Sequence, residues 1–490
     1  MAEWRNHVEP LGPGVIGIAK HGRMVTDAAI VGSDLQALLD GDERAPEQLV
    51  NAASLPGAVG RVWAMADHHF GYGLPIGGVL ATDHDAGDQG GAVSPGAVGF
   101  DINCGVRMLA FDMMADDLPD PAKFARRLGG RVPSGTSGRG GVDLSAQDLT
   151  NVLEEGASAV ADLGLGAVDD LRRLESDGRL DAEVDAVSSR ARERGMSSLG
   201  TLGSGNHFAE LQAVEEVVDR ETAEAWGLYE GQLVAMIHSG SRGLGHQVCT
   251  DHVRHLERQF VSDGDGWRHE GYGWWIPDRQ LAAAPRHSPE AEAYLGAMGA
   301  AANYAFANRA VLAQRLITAL EAHTRTEVEW STVYDVAHNI AKDEEHVIDG
   351  KRCMCSVHRK GATRAFPGQH EELCPEHKST GQPVLVPGDM GTGSWLLAGP
   401  KQDMNPAFGS SCHGAGRRLS RAAARAQVDV KDLMERLQAS GIHLKHGTDR
   451  GLAEEAPEAY KVVDDVVDAT ERAELARRVA RLSPRVVVKG

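Results

Sequence analysis

The alternation of apolar and polar positions gives the chain two textures. Over residues 10–110, apolar runs of strand length are broken by glycine turns, as in GYGLPIGGVLATD (71–83) and AVGFDINCGVRMLAF (97–111). Residues 115–195 are richer in alanine, aspartate, glutamate and arginine, which predicts a peripheral and mostly helical stretch. From residue 198 the first texture returns, in LGSGNHFAEL (202–211) and QLVAMIHSGSRGLG (232–245). Residues 289–322 carry the clearest helical signal. Ser288 is placed to cap this helix, Pro289 suits its first turn, and Glu290 and Glu292 suit the positive end of its dipole. A strand-like EVEWSTVYDVAHNI (327–340) follows, then PVLVP (383–387), a helical C-terminal third and a strand-like PRVVVKG at the end. With no solenoid repeat and no flexible linker, the pattern predicts one mixed α/β body whose functional residues sit on glycine-rich loops.

Composition narrows the class. Hydrophobic residues form 42% of the 490 positions and charged residues 24%, which fits a globular chain. No run approaches the ~18 consecutive apolar residues that span a bilayer. The N-terminal MAEWRNHVEP lacks a basic start followed by an apolar stretch, so the expected location is cytoplasmic. Six cysteines are too sparse for a disulfide framework and are better read as metal ligands, buried small side chains or reactive thiols. The formal net charge of −20 opposes a broad nucleic-acid face, so any RNA contact must be confined to a local arginine or lysine patch.

Candidate chemistry concentrates on the glycine turns. In GFDINCGVR (99–107), Asp101 and Cys104 lie three apart, so one turn can aim both at one ion. His207 in GSGNHF, His238 at the end of LVAMI and His338 in VAHN each sit where an apolar run stops at a polar or glycine turn. Singly, each is more often a core or surface residue than a ligand. Together, one carboxylate, one thiolate and three imidazoles suffice for two metal ions sharing a ligand, and ligand softness favours zinc. CHGAGRR (412–418) offers a nucleophile, His413, followed by Gly414 and Gly416, whose amides can line a phosphate. HSGSRGLGH (238–246) is similar, with Arg242 suited to a phosphate. Neither a P-loop nor a K-x-D-G lysine nucleophile occurs. Cys353, Cys355, Cys374 and His377 have the makings of a small zinc site, but their irregular spacing favours a polar loop that brings His358, Arg359 and Lys360 near the cleft. A two-metal phosphoesterase and a non-catalytic RNA-end binder remain alternatives at this point, though neither uses His413.

DINCGVR, GSGNHFAE, HSGSRGLGHQV, VAHN, HRKGATRAF, CHGAGR and the terminal VVVKG occur in the order found in the RtcB family of RNA ligases. The chain resembles that family from about residue 10 to 490. The resemblance implies an α+β fold, with central mixed β-sheets surrounded by helices, and one catalytic domain over residues 1–490. It implies two manganese ions: Asp101, Cys104 and His338 would hold one, and Cys104, His207 and His238 the other. Zinc or cobalt is compatible with the same ligands. His413 would take GMP from GTP, with Asn206, His207, Phe208, Ala209, Glu210, His338 and Asn339 at the nucleotide. Pro387, Gly388, Asp389, Met390, Ser394, Gly414, Ala415 and Gly416 would join them, and Tyr460 and Lys489 would meet the guanine. Arg194, Arg242 and Arg421 are candidates for RNA phosphates. The implied reaction joins RNA 2′,3′-cyclic phosphate or 3′-phosphate ends to 5′-hydroxyl ends, in tRNA splicing or RNA repair, with an archease-type activating protein as a possible partner. Asp389 departs from the serine associated with many members: a carboxylate facing phosphates would repel them, whereas one facing a ribose hydroxyl would not.

Overall fold

A computed structural model describes residues 3–32, 34–135 and 139–490. Two large sheets organise the α+β fold. The eight-stranded sheet runs Trp330–Ala337, Gly105–Met114, Gln232–Ser239, Phe208–Val217, Arg477–Lys489, Ser394–Ala398 and Pro383–Pro387 in spatial order, with His443–His446 parallel to the end of Arg477–Lys489. The strand Gln232–Ser239 is buried along its whole length, which is why its sequence is an unbroken apolar run up to His238. The seven-stranded sheet is ordered Val8–Gly12, Val15–Ile18, Asp27–Val31, Arg61–His69, Ile76–Asp83, Lys351–Lys360 and Asn339–Ile348. Only Asp27–Val31 and Arg61–His69 are parallel neighbours in it.

The expected helix appears as Pro289–Thr324, with the Ser288 side chain accepting from the Ala291 amide and a left-handed Arg325 closing it. Every residue from 297 to 313 is buried, so this helix is a central post rather than a surface element. The segment 115–195 contributes helices Pro121–Arg131, Ala146–Glu155, Ala157–Asp162 and Ser189–Gly195, and the first three pack on that post.

Three expectations change. EVEWSTVYDVAHNI is two strands, one in each sheet, with His338 alone at the corner between them. Residues 351–360, within the stretch expected as a polar loop, form a strand; its first two residues are exposed, but Arg359 near its end is fully buried and paired with Glu344 at 2.7 Å, so polarity there does not signal exposure. The C-terminal strand starts at Arg477, well before PRVVVKG, and its register shifts next to Pro484, which has no amide hydrogen for the ladder.

Polar residues of the central helix tie together strands and turns of the eight-stranded sheet. The Asp335 carboxylate accepts from Arg107 Nε at 2.7 Å and from Arg309 Nε at 2.8 Å, all three side chains being fully buried. Arg309 also donates to the Asn103 and Ser239 carbonyls at 2.8 and 3.0 Å. Asn308 accepts from the Gly200 amide at 2.7 Å and donates to Ser239 Oγ at 3.0 Å. Gly105 is required beside them, because a Cβ there would come within 2.3 Å of the Val336 carbonyl and 3.1 Å of the Arg309 guanidinium. Replacing Asp335 by Asn leaves two buried guanidiniums without a counter-charge. The expected loss is about 3–5 kcal/mol of unfolding free energy in urea melts, against about 0.5 kcal/mol or less for Glu345→Gln on the exposed sheet edge.

Candidate functional site

The five candidate ligands converge from four separate strand ends. Asp101 and Cys104 share the turn before Gly105–Met114, closed by the Cys104 amide on the Asp101 carbonyl at 2.9 Å and by a left-handed Asn103. The Asn103 side chain is pinned to the Ala302 carbonyl of the central helix at 2.8 Å. Cys104 Sγ lies 3.3 Å from both His207 Nε2 and His238 Nε2. His238 Nε2 is 3.3 Å from His338 Nε2, and Asp101 Oδ2 is 3.0 Å from His207 Nε2. The His207 Nδ1 lies 3.0 Å from the Leu202 carbonyl, so the proton belongs on Nδ1 and the Nε2 lone pair faces the cluster. Gly203 permits this, since a Cβ would fall 2.5 Å from that Nδ1.

This donor set fits metal. Burial, then the Asp101 charge, pushes the Cys104 thiol well above its ordinary range. Burial also pushes His238 and His338 well below theirs, leaving both imidazoles neutral. A buried Asp101 oxygen, Oδ1, has no hydrogen-bond partner. Neutral imidazoles, a thiol and a carboxylate aimed at one another are a donor set suited to a divalent cation. Cys104, His207 and His238 lie within 4.8 Å of one another as a three-ligand group.

His413 follows the short strand Ser410–Cys412 and stands beside this cluster, its ring centroid 4.7 Å from that of His338. Its Nδ1 lies 2.6 Å from Asp67 Oδ2, and the same oxygen accepts from the His413 and Gly414 amides at 3.0 and 3.2 Å. Asp67 is fully buried; burial raises its carboxyl, but the charge and hydrogen bond of His413 outweigh this and hold it below its ordinary value. Lys461, bonded to the Ala66 and His68 carbonyls, adds its own positive charge nearby. In the neutral ring this arrangement puts the proton on Nδ1, facing Asp67, and leaves Nε2 as the free lone pair.

His413 and the ligand cluster open onto a cavity of about 1080 Å³. Asn206, Phe208, Glu210, Asn339, Pro387, Gly388, Asp389, Met390, Gly414, Ala415, Gly416, Tyr460 and Lys489 all line it. Ala209 alternates to the other face of its strand, into the apolar core with Leu211. Ser394 lies behind the wall, its hydroxyl accepting from Gln212 at 3.0 Å and facing the Gly388 amide at 3.4 Å. Asp389 turns back on its own loop, accepting from the Gly391 and Thr392 amides at 2.8 and 3.1 Å and from the Thr392 hydroxyl at 2.7 Å. Three donors of its own loop thus hold the Asp389 carboxylate, which still lines the cavity. Burial raises the Glu210 carboxyl to about 7, against the opposing pull of Lys489.

The three arginines separate. Arg421 lines the cavity and pairs with the buried Glu455 at 3.3 Å. Arg242 is 8% exposed and donates to Thr201 Oγ1 and the Gly135 carbonyl, both at 3.2 Å. Arg194 donates to Gln247 at 3.2 Å. Cys353 and Cys355 sit 3.4 Å apart on one strand, and Cys374 is 3.2 Å from His377, but among the described residues these four do not form a metal-ligand group.

Asp67 was not found by sequence reading. It lies inside a strand, in AMADHH, without the glycine turn that marked the other candidates. The buried Glu455, which accepts from Arg417 at 3.1 Å and from the Tyr460 hydroxyl, was also missed.

The comparisons with known proteins place the chain in a class of ligases: residues 48–490 match the family model described as "tRNA-splicing ligase RtcB". The chain belongs to the RtcB family. It is 46% identical to the tRNA-splicing ligase RtcB of Thermococcus kodakarensis over 453 residues, 91% of each chain. It is 44% identical to that of Archaeoglobus fulgidus over 476 residues, 96% of each chain. It is 47% identical to the RNA-splicing ligase RtcB of Mycobacterium tuberculosis over 447 residues, 90% of this chain and 100% of the relative.

Loss of the central donor should dominate metal binding. Cys104→Ala is expected to lose at least the roughly 10- to 100-fold in affinity that outer contacts alone contribute, whereas Asp389→Ala retains it. Chelator competition with elemental analysis of the protein measures both.

Proposed function

We propose that this protein is a GTP-dependent RNA ligase that joins RNA 3′-phosphate or 2′,3′-cyclic phosphate ends to 5′-hydroxyl ends through a histidine–GMP intermediate, in tRNA splicing or RNA repair. The observation that carries the reading is His413, held through Nδ1 by buried Asp67 in a nucleotide-sized cavity beside the ligand cluster. In this reading the Nε2 lone pair attacks the α-phosphorus of GTP, the P–O bond to pyrophosphate breaks, and pyrophosphate leaves. Asp67 holds the Nδ1 proton and offsets the positive charge that develops on the ring. A 3′-phosphate oxygen of the RNA then attacks the same phosphorus, breaking its bond to nitrogen and releasing neutral His413. A 5′-hydroxyl attacks the activated 3′-phosphorus, and GMP departs. A cyclic phosphate first opens by hydrolysis to the 3′-phosphate.

Asp101, Cys104, His207, His238 and His338 would hold two divalent ions. The family resemblance assigns manganese, and the donor set also accepts zinc or cobalt. When bound, such ions neutralise charge on the attacking and leaving phosphate oxygens. The carboxylate of Glu210 would accept guanine's N1 and N2 hydrogens, which adenine does not offer together, with Tyr460 and Lys489 near the same base. The remaining wall residues, from Asn206 to Asn339 and from Pro387 to Gly416, would shape the nucleotide and phosphate subsites. RNA phosphates would meet Arg421 at the cavity; the buried Arg242 and the Gln247-bonded Arg194 would act from the far side of the cluster. The same reading takes residues 1–490 as one cytoplasmic catalytic domain, with an archease-type protein as activating partner.

Two experiments test this. Incubation with α-labelled GTP and manganese should leave an acid-labile, alkali-stable label on the protein, absent from His413→Ala while its metal content is retained. Equal labelling of the mutant would remove His413 from the mechanism. Ionised Glu210 is the form that accepts from guanine, and it accumulates as pH rises through about 7. GTP affinity should therefore rise between about pH 6 and 8, and Glu210→Gln should flatten that rise as well as weaken binding, as calorimetric titration would show.

A further inference from the structure

The cavity around His413 continues to a rim where Phe70 and Arg44 stand together. Phe70 immediately follows the strand Arg61–His69, and no core absorbs it: 46% of its surface is exposed. The Arg44 guanidinium lies over its ring, 4.7 Å from the centroid. Arg44 is fixed in turn by Asp42, with Nε 2.9 Å from Oδ1 and Nη2 2.6 Å from Oδ2. Its charge is thereby balanced locally, and it acts as a flat backing that holds the ring in one orientation. An aromatic ring backed on one side and open to solvent at a cavity mouth is a surface suited to a nucleobase.

Its position gives the surface a purpose. Phe70 is three residues beyond Asp67, about 10 Å of extended chain, and Asp67 holds the nucleophile candidate. A strand end reacting at His413 would place its last bases within that reach. The exposed Arg418 lines the same cavity and donates from Nη2 to the Glu458 carbonyl at 3.3 Å. We propose that Phe70, backed by Arg44, is the stacking platform for a base at or next to the RNA 3′ end that reacts at His413, with Arg418 at the adjoining phosphate. The proposal rests on the ligase reading. It adds that end recognition here is by π-face, which every base has, so the platform accepts ends of any sequence.

The test uses the metal-loaded protein and two RNA oligonucleotides ending in a 3′-phosphate, one intact and one lacking the bases of its last two nucleotides. Wild type should bind the intact RNA roughly tenfold or more tightly than the abasic one. Phe70→Ala should bind intact RNA as weakly as wild type binds abasic RNA, and should lose nothing further on the abasic RNA. Phe70→Trp should restore the preference. Wild-type affinity of Phe70→Ala for intact RNA would overturn the proposal. So would an equal loss on both RNAs, the signature of a distorted rim. Labelling by GTP, run in parallel, keeps the two readings apart: an unlabelled wild type overturns the ligase reading, whereas label on Phe70→Ala with weakened binding of intact RNA alone is the expected result.

Discussion

The Asp335 carboxylate, shared between Arg107 and Arg309 in a fully buried triad, is the interaction on which the rest of the structure depends. Three charges without water are stable only if every partner stays in place, so the triad dictates the mutual position of what it links. It links the strand that leaves the Asp101–Cys104 turn, the central helix and the strand that runs into His338. Arg309 extends the link to the Asn103 and Ser239 carbonyls, so the residues flanking Cys104 and His238 are bonded to the same guanidinium. The ligand cluster is therefore held from behind by a rigid polar scaffold, and its donors need no flexible loop to assemble them.

The candidate nucleophile, His413, likewise sits where two sheets meet. His338 is the single residue between a strand of one sheet and a strand of the other, and its amide donates to the Cys104 carbonyl at 2.9 Å. Asp67 comes from the seven-stranded sheet and His413 from the short strand beside it, while His207, His238 and Glu210 come from the eight-stranded sheet. The cavity is the seam between the sheets, and each contributes part of its lining.

Much of this was legible in the sequence because glycine turns and abrupt ends of apolar runs are local signals. Asp101, Cys104, His207, His238, His338 and His413 all carry one, and the capped helix from Pro289 carries several. What stayed hidden depends on distant contacts. Asp67 is defined by a partner 346 positions away and sits mid-strand among other polar residues. Arg309 is one of two arginines in an alanine-rich helix, and only the burial of residues 297–313 shows that it faces protein on every side. Lys351–Lys360 read as a loop because polar residues usually mark exposure; here Glu344 neutralises Arg359 inside the sheet. The resemblance supplied the nucleotide-pocket residues, which periodicity alone does not distinguish from core.

The strand Arg477–Lys489 gives the protein a chronology. It pairs with Phe208–Val217, and Lys489 lies beside Phe208 at the floor of the cavity. On the ribosome, at roughly 5–20 residues per second, the residues around Phe208 emerge well before their neighbour strand exists. Until then Phe208–Val217 is an unpaired edge and the pocket lacks its floor. The nascent chain thus carries the Cys104–histidine cluster and His413 before the cavity beside them is complete, and pairing of this late strand is what closes its wall.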